Sequence, residues 1–312
     1  MRYLFAVALL TASLNGAPRL LWRDPGAIER LNLAAGPGGA ARAPKPPFRF
    51  IREDSSGTSP KVQVRDRTGA RWSVKWGEEV KAETFASRLA WAAGYFVEPV
   101  YYVRSGRIAG VRNLGRADRF VDKRGYFRDA RFELIDPSRR YLQTVGWTWE
   151  QNPFVGTRQL NGLKILLMFT SNWDNKDARD ATSNTAIVLE GAGEERRSVY
   201  MVTDWGGSMG KWGNFFTREK WNCDAYAKQS PDFIKSVEEG EVKFGFSGKH
   251  DDEFKDEIGV DDVRWIMQYL GRISDAQIRS ALRASGASRH EEQCFARAMR
   301  LRIRQLRQVA RL

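Results

Sequence analysis

Histidine and cysteine are scarce, with two of each in 312 residues. His250 and His290 share no spacing with each other or with a serine or cysteine, which argues against a Ser-His-Asp hydrolase. Cys223 and Cys294 are too few and too far apart for a zinc site; they either form one disulfide or remain thiols. Beyond the first residues no apolar run approaches the ~20 needed to span a bilayer. There is no RNP box, no zinc-finger spacing and no dense Lys/Arg run, which argues against nucleic acid as the partner.

Charge of one sign is in excess. Lys and Arg number 51 against 38 Asp and Glu, a net charge of +13. Such a balance suits an anionic partner. Hydrophobic content of 42% with 29% charged residues is that of a globular chain. At the start, Arg2 precedes the apolar run Tyr3 to Leu14 and then Asn15-Gly16-Ala17-Pro18. This is the design of a secretory signal over residues 1–17. It places the expected protein in the periplasm or outside the cell; an intact leader would leave it in the cytoplasm. Residues 18–47 are rich in Pro, Gly, Ala and Arg and read as an extended linker.

Ordered polar motifs follow. Lys61 to Trp76 alternates apolar and polar residues about the turn Arg67-Thr68-Gly69, so it predicts a β-hairpin with Lys75 on its second strand. The hydroxyl-rich turn before it holds Ser56, Gly57, Thr58 and Lys61, whose backbone N–H groups could reach a phosphate. Phe85, Leu89, Ala92 and Ala93 share one helical stripe over 83–94, with Glu83 in the first turn and Glu79 as the rival partner for Lys75. The apolar runs Tyr95 to Val103 and Ile108 to Val111 read as another hairpin. Leu160 to Phe169, opened by Thr157, reads as a buried helix that delivers the loop Asn172-Trp173-Asp174-Asn175-Lys176-Asp177. A hairpin over Thr185 to Val202 then leads to Asp204-Trp205-Gly206.

The order of lysine strand, glutamate helix, Asp/Asn loop, hairpin and Asp-aromatic-Gly resembles the atypical kinase-like superfamily. HipA-type kinases, the spore-coat CotH kinases and phosphatidylinositol kinases belong to it. The chain is most similar to a bacterial branch marked by NWDxKD and DWGxxxG. The resemblance covers roughly Phe48 to the end of the sequence. It implies an α+β, two-lobed protein-kinase-like fold: a small β-rich lobe over 48–111, an insertion over 112–150, and a larger, mainly helical lobe over 151–312. It implies phosphoryl or nucleotidyl transfer from ATP or another nucleoside triphosphate with Mg2+ or Mn2+. By position, Lys75 would bind phosphate beside the Ser56, Gly57, Thr58 and Lys61 turn, and Glu83 would anchor Lys75. Asp174 would be the catalytic carboxylate, and Asn184 and Asp204 would hold the metals. The acceptor is not named by the sequence; a protein, a lipid headgroup and an envelope glycan all fit.

The chain departs from the family pattern in two places. Asn172-Trp173 stands where a His-Arg pair would precede the catalytic Asp. Asn184 lies ten residues after Asp174, where protein kinases place it about five residues on. The excess falls in Ala178 to Thr182 and leaves Asp177 and Asp180 as rival bases. The alternative reading, from a different class, is therefore a non-catalytic kinase-like binding protein of the cell envelope. Between Arg112 and Gln151, clustered arginines and aromatics read as packing, or as a substrate platform. Glycine-rich Gly206 to Trp221 is the expected counterpart of an activation segment. Capping boxes at Ser274 and Ser288 start the last helices. The final one has an apolar core stripe, and its arginines read as a solvated face.

Overall fold

Alternation of buried and exposed residues builds the first sheet. A computed structural model describes residues 18–57, 59–142, 146–214 and 217–312; the expected leader and Thr58 lie outside the described residues. After β1 (Arg19–Leu20) come β2 (Phe48–Asp54), β3 (Lys61–Arg65) and β4 (Arg71–Lys75). The predicted hairpin is β3–β4, with Val62 opposite Val74 and Val64 opposite Trp72. Helix α1 (Glu79–Ala92) follows, then β5 (Val100–Ala109) and β6 (Tyr126–Leu134). These strands close a five-stranded barrel in the order β2-β3-β4-β6-β5. Phe48, Val64, Trp72, Val74 and Phe132 fill its interior.

The rest of the chain mixes six α-helices with short strands. Short β7 (Arg140–Tyr141), helix α2 (Arg158–Phe169), and the hairpin β8 (Thr185–Glu190) and β9 (Arg197–Val202) come next. Strands β1, β9, β8 and β7 form one sheet. Two further hairpins, β10 (Lys211–Asn214) with β11 (Thr217–Glu219) and β12 (Ile234–Glu238) with β13 (Glu241–Phe244), flank α3 (Cys223–Gln229). The chain continues through α4 (Asp251–Lys255), α5 (Val260–Met267), α6 (Asp275–Ala284) and α7 (Arg289–Val309). The described residues thus form a mixed α/β structure with seven α-helices. Thr157 caps α2 by accepting from Leu160 N, and Ser274 and Ser288 make the predicted capping boxes. Cys223 and Cys294 are joined as a disulfide between α3 and α7. Among the described residues no helix is long and apolar enough to cross a membrane.

Four expectations need correction. Residues 95–111 are not a hairpin, because Ser105 and Gly106 lie mid-strand in β5 opposite Arg128 and Phe127. Gly106 is needed there, since a Cβ would sit 2.7 Å from the Phe127 ring. The expected insertion over 112–150 contains β6, which lies between β4 and β5; the barrel therefore does not end at residue 111. Helix α1 starts at Glu79, so Glu83 stands one turn further in than the periodicity suggested. Finally, 18–47 is no extended linker. Leu21, Ile28 and Leu33 are buried in the helical core. Trp22 packs on Trp265 and Tyr269 and donates to Ala93 O at 2.8 Å. Four spaced apolar side chains outweigh the Pro and Gly around them.

That docking predicts a stability effect. Leu33→Ala should lower the unfolding free energy by about 2–5 kcal/mol, the usual range for truncating a buried leucine. Urea titration would measure it; an unchanged midpoint would return the segment to the status of a linker.

Candidate functional site

Strand period places two cations on the same side of the barrel wall. Val74 and Phe132 point into the barrel, so their neighbours Lys75 and Arg131 point out, toward α1. Lys75 and Arg131 are register partners on β4 and β6, and both are buried. Glu83 stands between them: Lys75 Nζ donates to Glu83 Oε2 at 3.1 Å, and Arg131 donates to Glu83 Oε1. Arg131 also pairs with Glu133. One helical turn earlier, Glu79 pairs with Lys75 and with Lys220. The two glutamates that compete for Lys75 in the sequence thus both hold it. Glu83 is the sequestered one, and Glu79 faces the cleft.

Burial works against the Lys75 charge, but Glu83, Asp204 and Glu79 outweigh it and hold its pKa well above the ordinary lysine value. Burial pushes the Glu83 carboxyl up to about 7, because loss of water outweighs the pull of Arg131 and Lys75. For Glu79 the balance is reversed: burial is overcome by Lys75 and Lys220, and its pKa falls.

The opposite wall is two loops held by backbone and asparagine side-chain hydrogen bonds. Asn172 Oδ1 accepts from Asp174 N at 3.2 Å, and Trp173 N donates to Gly207 O at 3.1 Å. Asn184 Nδ2 donates to Asp174 O at 2.7 Å, and Thr203 N donates to Asn184 O at 2.9 Å. Asp174, Asn184 and Asp204 are therefore fixed relative to one another. Gly207 has no room for a side chain: a Cβ would lie 2.8 Å from that of Asp174. Asp204 Oδ2 comes within 4.0 Å of Lys75 Nζ and links the two walls. Lys176 and Lys249 approach the Asp174 carboxylate at 3.3 and 3.7 Å.

A cavity of about 290 Å3 lies between these walls. Ser56, Gly57, Lys61, Lys75, Glu83, Asp174, Asn184 and Asp204 all line it. The phosphate, metal and catalytic residues assigned by the resemblance thus line one cavity, apart from Thr58, which is outside the described residues. A larger cleft of about 1660 Å3 adjoins it and shares Ser59 and Glu79. Size does not decide between them, since Asp174, Asn184, Asp204 and Lys75 all face the smaller cavity. Arg131 and Glu133 line it too and were missed. Their signal lay in the strict apolar-polar alternation of Ala130-Arg131-Phe132-Glu133-Leu134, which marks a strand with Arg131 and Glu133 on one face.

The rival bases are otherwise engaged. Asp177 is fully buried, accepts from Trp149 N at 3.2 Å and pairs with Arg179, which continues to Glu253. Asp180 accepts from Asp177 N at 3.0 Å and pairs with His250 Nε2 at 2.9 Å. Neither lines the cavity that holds Asp174. The residues inserted between Asp174 and Asn184 fold into a turn of their own.

Carboxylates of Glu79, Glu83 and Asp204 lie within 4.8 Å of one another. With Asp174 and Glu133 they make five carboxylates on the lining, against Lys61, Lys75, Lys176 and Arg131. Lys220 and Lys249 also pair with Glu79 and Asp174, so protein cations balance the carboxylates, and it is the close approach of three carboxylates that favours a divalent ion. Oxygen-only donors suit Mg2+ or Mn2+. On this chemistry the carboxylates could hold a divalent metal, with Lys75 placed to meet an anion beside it.

No protein-family model matches the chain, and no curated protein matches it. Among solved structures, the crystal structure of the Golgi casein kinase is similar over 92% of this chain and 76% of that one, at 11% identity and a TM-score of 0.46. The same kinase with Mn/ADP bound aligns over 90% and 76%, at 10% identity and a TM-score of 0.33. Likeness this distant carries no weight for function, which rests on the cleft.

The two aspartates should separate in a stability measurement. Asp177→Ala orphans the buried Trp149 N–H and should cost about 1–3 kcal/mol. Asp174→Ala removes a cavity-lining group and should change stability by less than about 0.5 kcal/mol. Thermal or denaturant unfolding of both variants checks this; equal losses would mean Asp174 is a structural residue.

Proposed function

We propose that the protein is a divalent-cation-dependent phosphotransferase of kinase-like, two-lobed architecture, acting on a nucleoside triphosphate. The observation that carries this reading is the convergence of Lys75, Asp174, Asn184 and Asp204 on one cavity between the barrel and the helical part. The barrel with α1 corresponds to the small lobe, and residues from about 151 onward to the large one. When bound, the nucleotide and its metal would supply the phosphoryl group and the neutralisation of its charge.

The chain's own residues do the rest. Lys75, held by Glu83 and Glu79, meets the phosphates from the barrel side. The turn of Ser56, Gly57 and Lys61 lies over the same cavity. Asp204 and Asn184 offer oxygen ligands to the cation from the opposite wall. Asp174 would orient the acceptor hydroxyl and take its proton as the oxygen bonds to the γ-phosphorus and the bond to the bridging oxygen breaks, releasing the nucleoside diphosphate with its new charge beside Lys75 and the cation. The adjoining large cleft gives the acceptor room beside Asp174's cavity. Positioning and charge stabilisation account for nearly all the catalysis in such transfers, since little covalent chemistry is asked of the protein.

Two substitutions divide binding from chemistry. Asp204→Ala should abolish metal-dependent nucleotide binding, read by calorimetry with ATP and Mg2+ or Mn2+. Asp174→Ala should leave that binding intact and remove transfer, because its interaction is made chiefly in the transition state. Transfer is read with labelled ATP and an extract of cell-envelope proteins, lipids and glycans. Nucleotide binding with no transfer by the unaltered protein would favour the non-catalytic reading. Metal-independent binding that survives Asp204→Ala would defeat both roles assigned to the cleft.

A further inference from the structure

The last described helix carries charge that the candidate site does not use. Phe295, Met299, Ile303 and Leu306 of α7 are buried in the helical core. On the outward side, Arg297, Arg300, Arg304 and Arg307 follow at alternating three- and four-residue steps, and Arg311 continues the series just past the helix end. All five are exposed. The row runs for about 21 Å at 1.5 Å per residue. Residues 293–312 contain no Asp, Glu or Lys.

Little of this charge is neutralised. Arg300 pairs with Asp275 at 3.2 Å. Arg307 donates to the Gly271 carbonyl at 2.8 Å, which satisfies a hydrogen bond and leaves the charge. Arg297, Arg304 and Arg311 have no ion-pair partner among the described residues. Like charges three and four apart on a helix repel one another. A solvated face has no need of that arrangement, and Glu or Gln would serve it better.

We propose that this arginine row is a docking surface for an anionic phospholipid bilayer. Guanidinium groups bind phosphate oxygens with paired donors, which suits headgroup phosphates and explains an all-arginine row. The apolar side of α7 is committed to the core, so the helix cannot leave the body of the protein to enter a nucleic-acid groove. No exposed aromatic stands in the row to stack on bases. A bilayer needs neither groove nor stacking, because its headgroups move laterally to meet a fixed row of charges. No apolar side chain lies among the five arginines on that face, so contact is by charge at the surface rather than by insertion.

The test uses the purified full chain and sedimentation with lipid vesicles. Vesicles of phosphatidylcholine mixed with phosphatidylglycerol should bind it, pure phosphatidylcholine should not, and added salt should weaken the binding. Replacing Arg297, Arg304 and Arg311 together by Gln should weaken binding about a hundredfold, at roughly a fivefold loss per arginine near an anionic surface. Gln is a good helix former, so circular dichroism should stay unchanged. A control with Arg65, Arg67 and Arg112 changed to Gln removes the same charge from the barrel and should keep most of the binding. Equal losses in the two triple variants would overturn the proposal, as would equal binding to neutral vesicles. An oligonucleotide that displaces the protein from anionic vesicles at lower phosphate concentration would assign the row to nucleic acid and overturn it as well.

Discussion

Burying an ammonium group is the constraint around which the cleft is organised. Lys75 is almost wholly removed from water, at a desolvation cost of several kcal/mol even after relaxation. That cost is met only when three separate elements are in place. Strand β4 supplies Lys75, α1 supplies Glu83 and Glu79, and β6 supplies Arg131 to hold the far oxygen of Glu83. A barrel lacking β6, or a helix rotated by one residue, would leave a charge without its partner. The network therefore contributes more to fixing where α1 sits against the barrel than to net stability.

A second buried cation fixes the other wall. Arg302 lies on the inner side of α7 and is 1% exposed. It donates to the carbonyls of Met168 and Phe169 at the end of α2 and to Ser171 Oγ, and it stacks over Tyr226. Carbonyls at a helix C-terminus carry negative partial charge, so a cation there needs no carboxylate. The loop from Ser171 to Asp174 leaves α2 from this anchored end, with Ser171 at a positive φ of 51°. One helix thus holds the Asp174 loop with an inward arginine while its outward arginines face solvent.

The parts legible in the sequence were those with a local signature. Alternation about a short turn identified β3–β4, two apolar runs about a charged turn identified β8–β9, and capping boxes identified the starts of α6 and α7. The polar motifs were legible because the cleft is built at element ends, where Asp, Asn and Gly cluster. Less legible was whatever depended on partners distant in the chain. Strand β6 was hidden because its alternation serves two surfaces: Ala130 and Phe132 fill the barrel while Arg131, between them, is buried against α1. The stretch 18–47 misled because composition describes a chain's entropy and not the sockets waiting for it. Leu21, Ile28 and Leu33 find theirs in the main core, while Trp22 packs on Trp265 of α5 and Gln277 of α6 donates to Ile28 O and Leu31 O, far along the sequence. Glu83 could be named, but its place in α1 could not, since helix ends are set by the residues that pack beneath them.

Lysine and arginine divide the work in the cleft by their chemistry. Arg131 is planar, always charged, and holds the fixed end of the network beneath Glu83. The groups nearest the cavity are lysines: Lys75 and Lys220 on Glu79, Lys176 and Lys249 on Asp174. An ammonium on a flexible stem is a compact charge that can be handed from one oxyanion to another at small geometric cost. The lysines serve as counter-ions to the carboxylates. On the proposed function, a metal arriving at Asp204 and Asn184 would take over part of that neutralisation. Lysine charge would then be free to turn toward phosphate oxygens entering the same space. The carboxylates of the cleft and the lysines paired with them therefore belong to one design, in which protein ammonium groups hold the acidic side chains that a metal would bind.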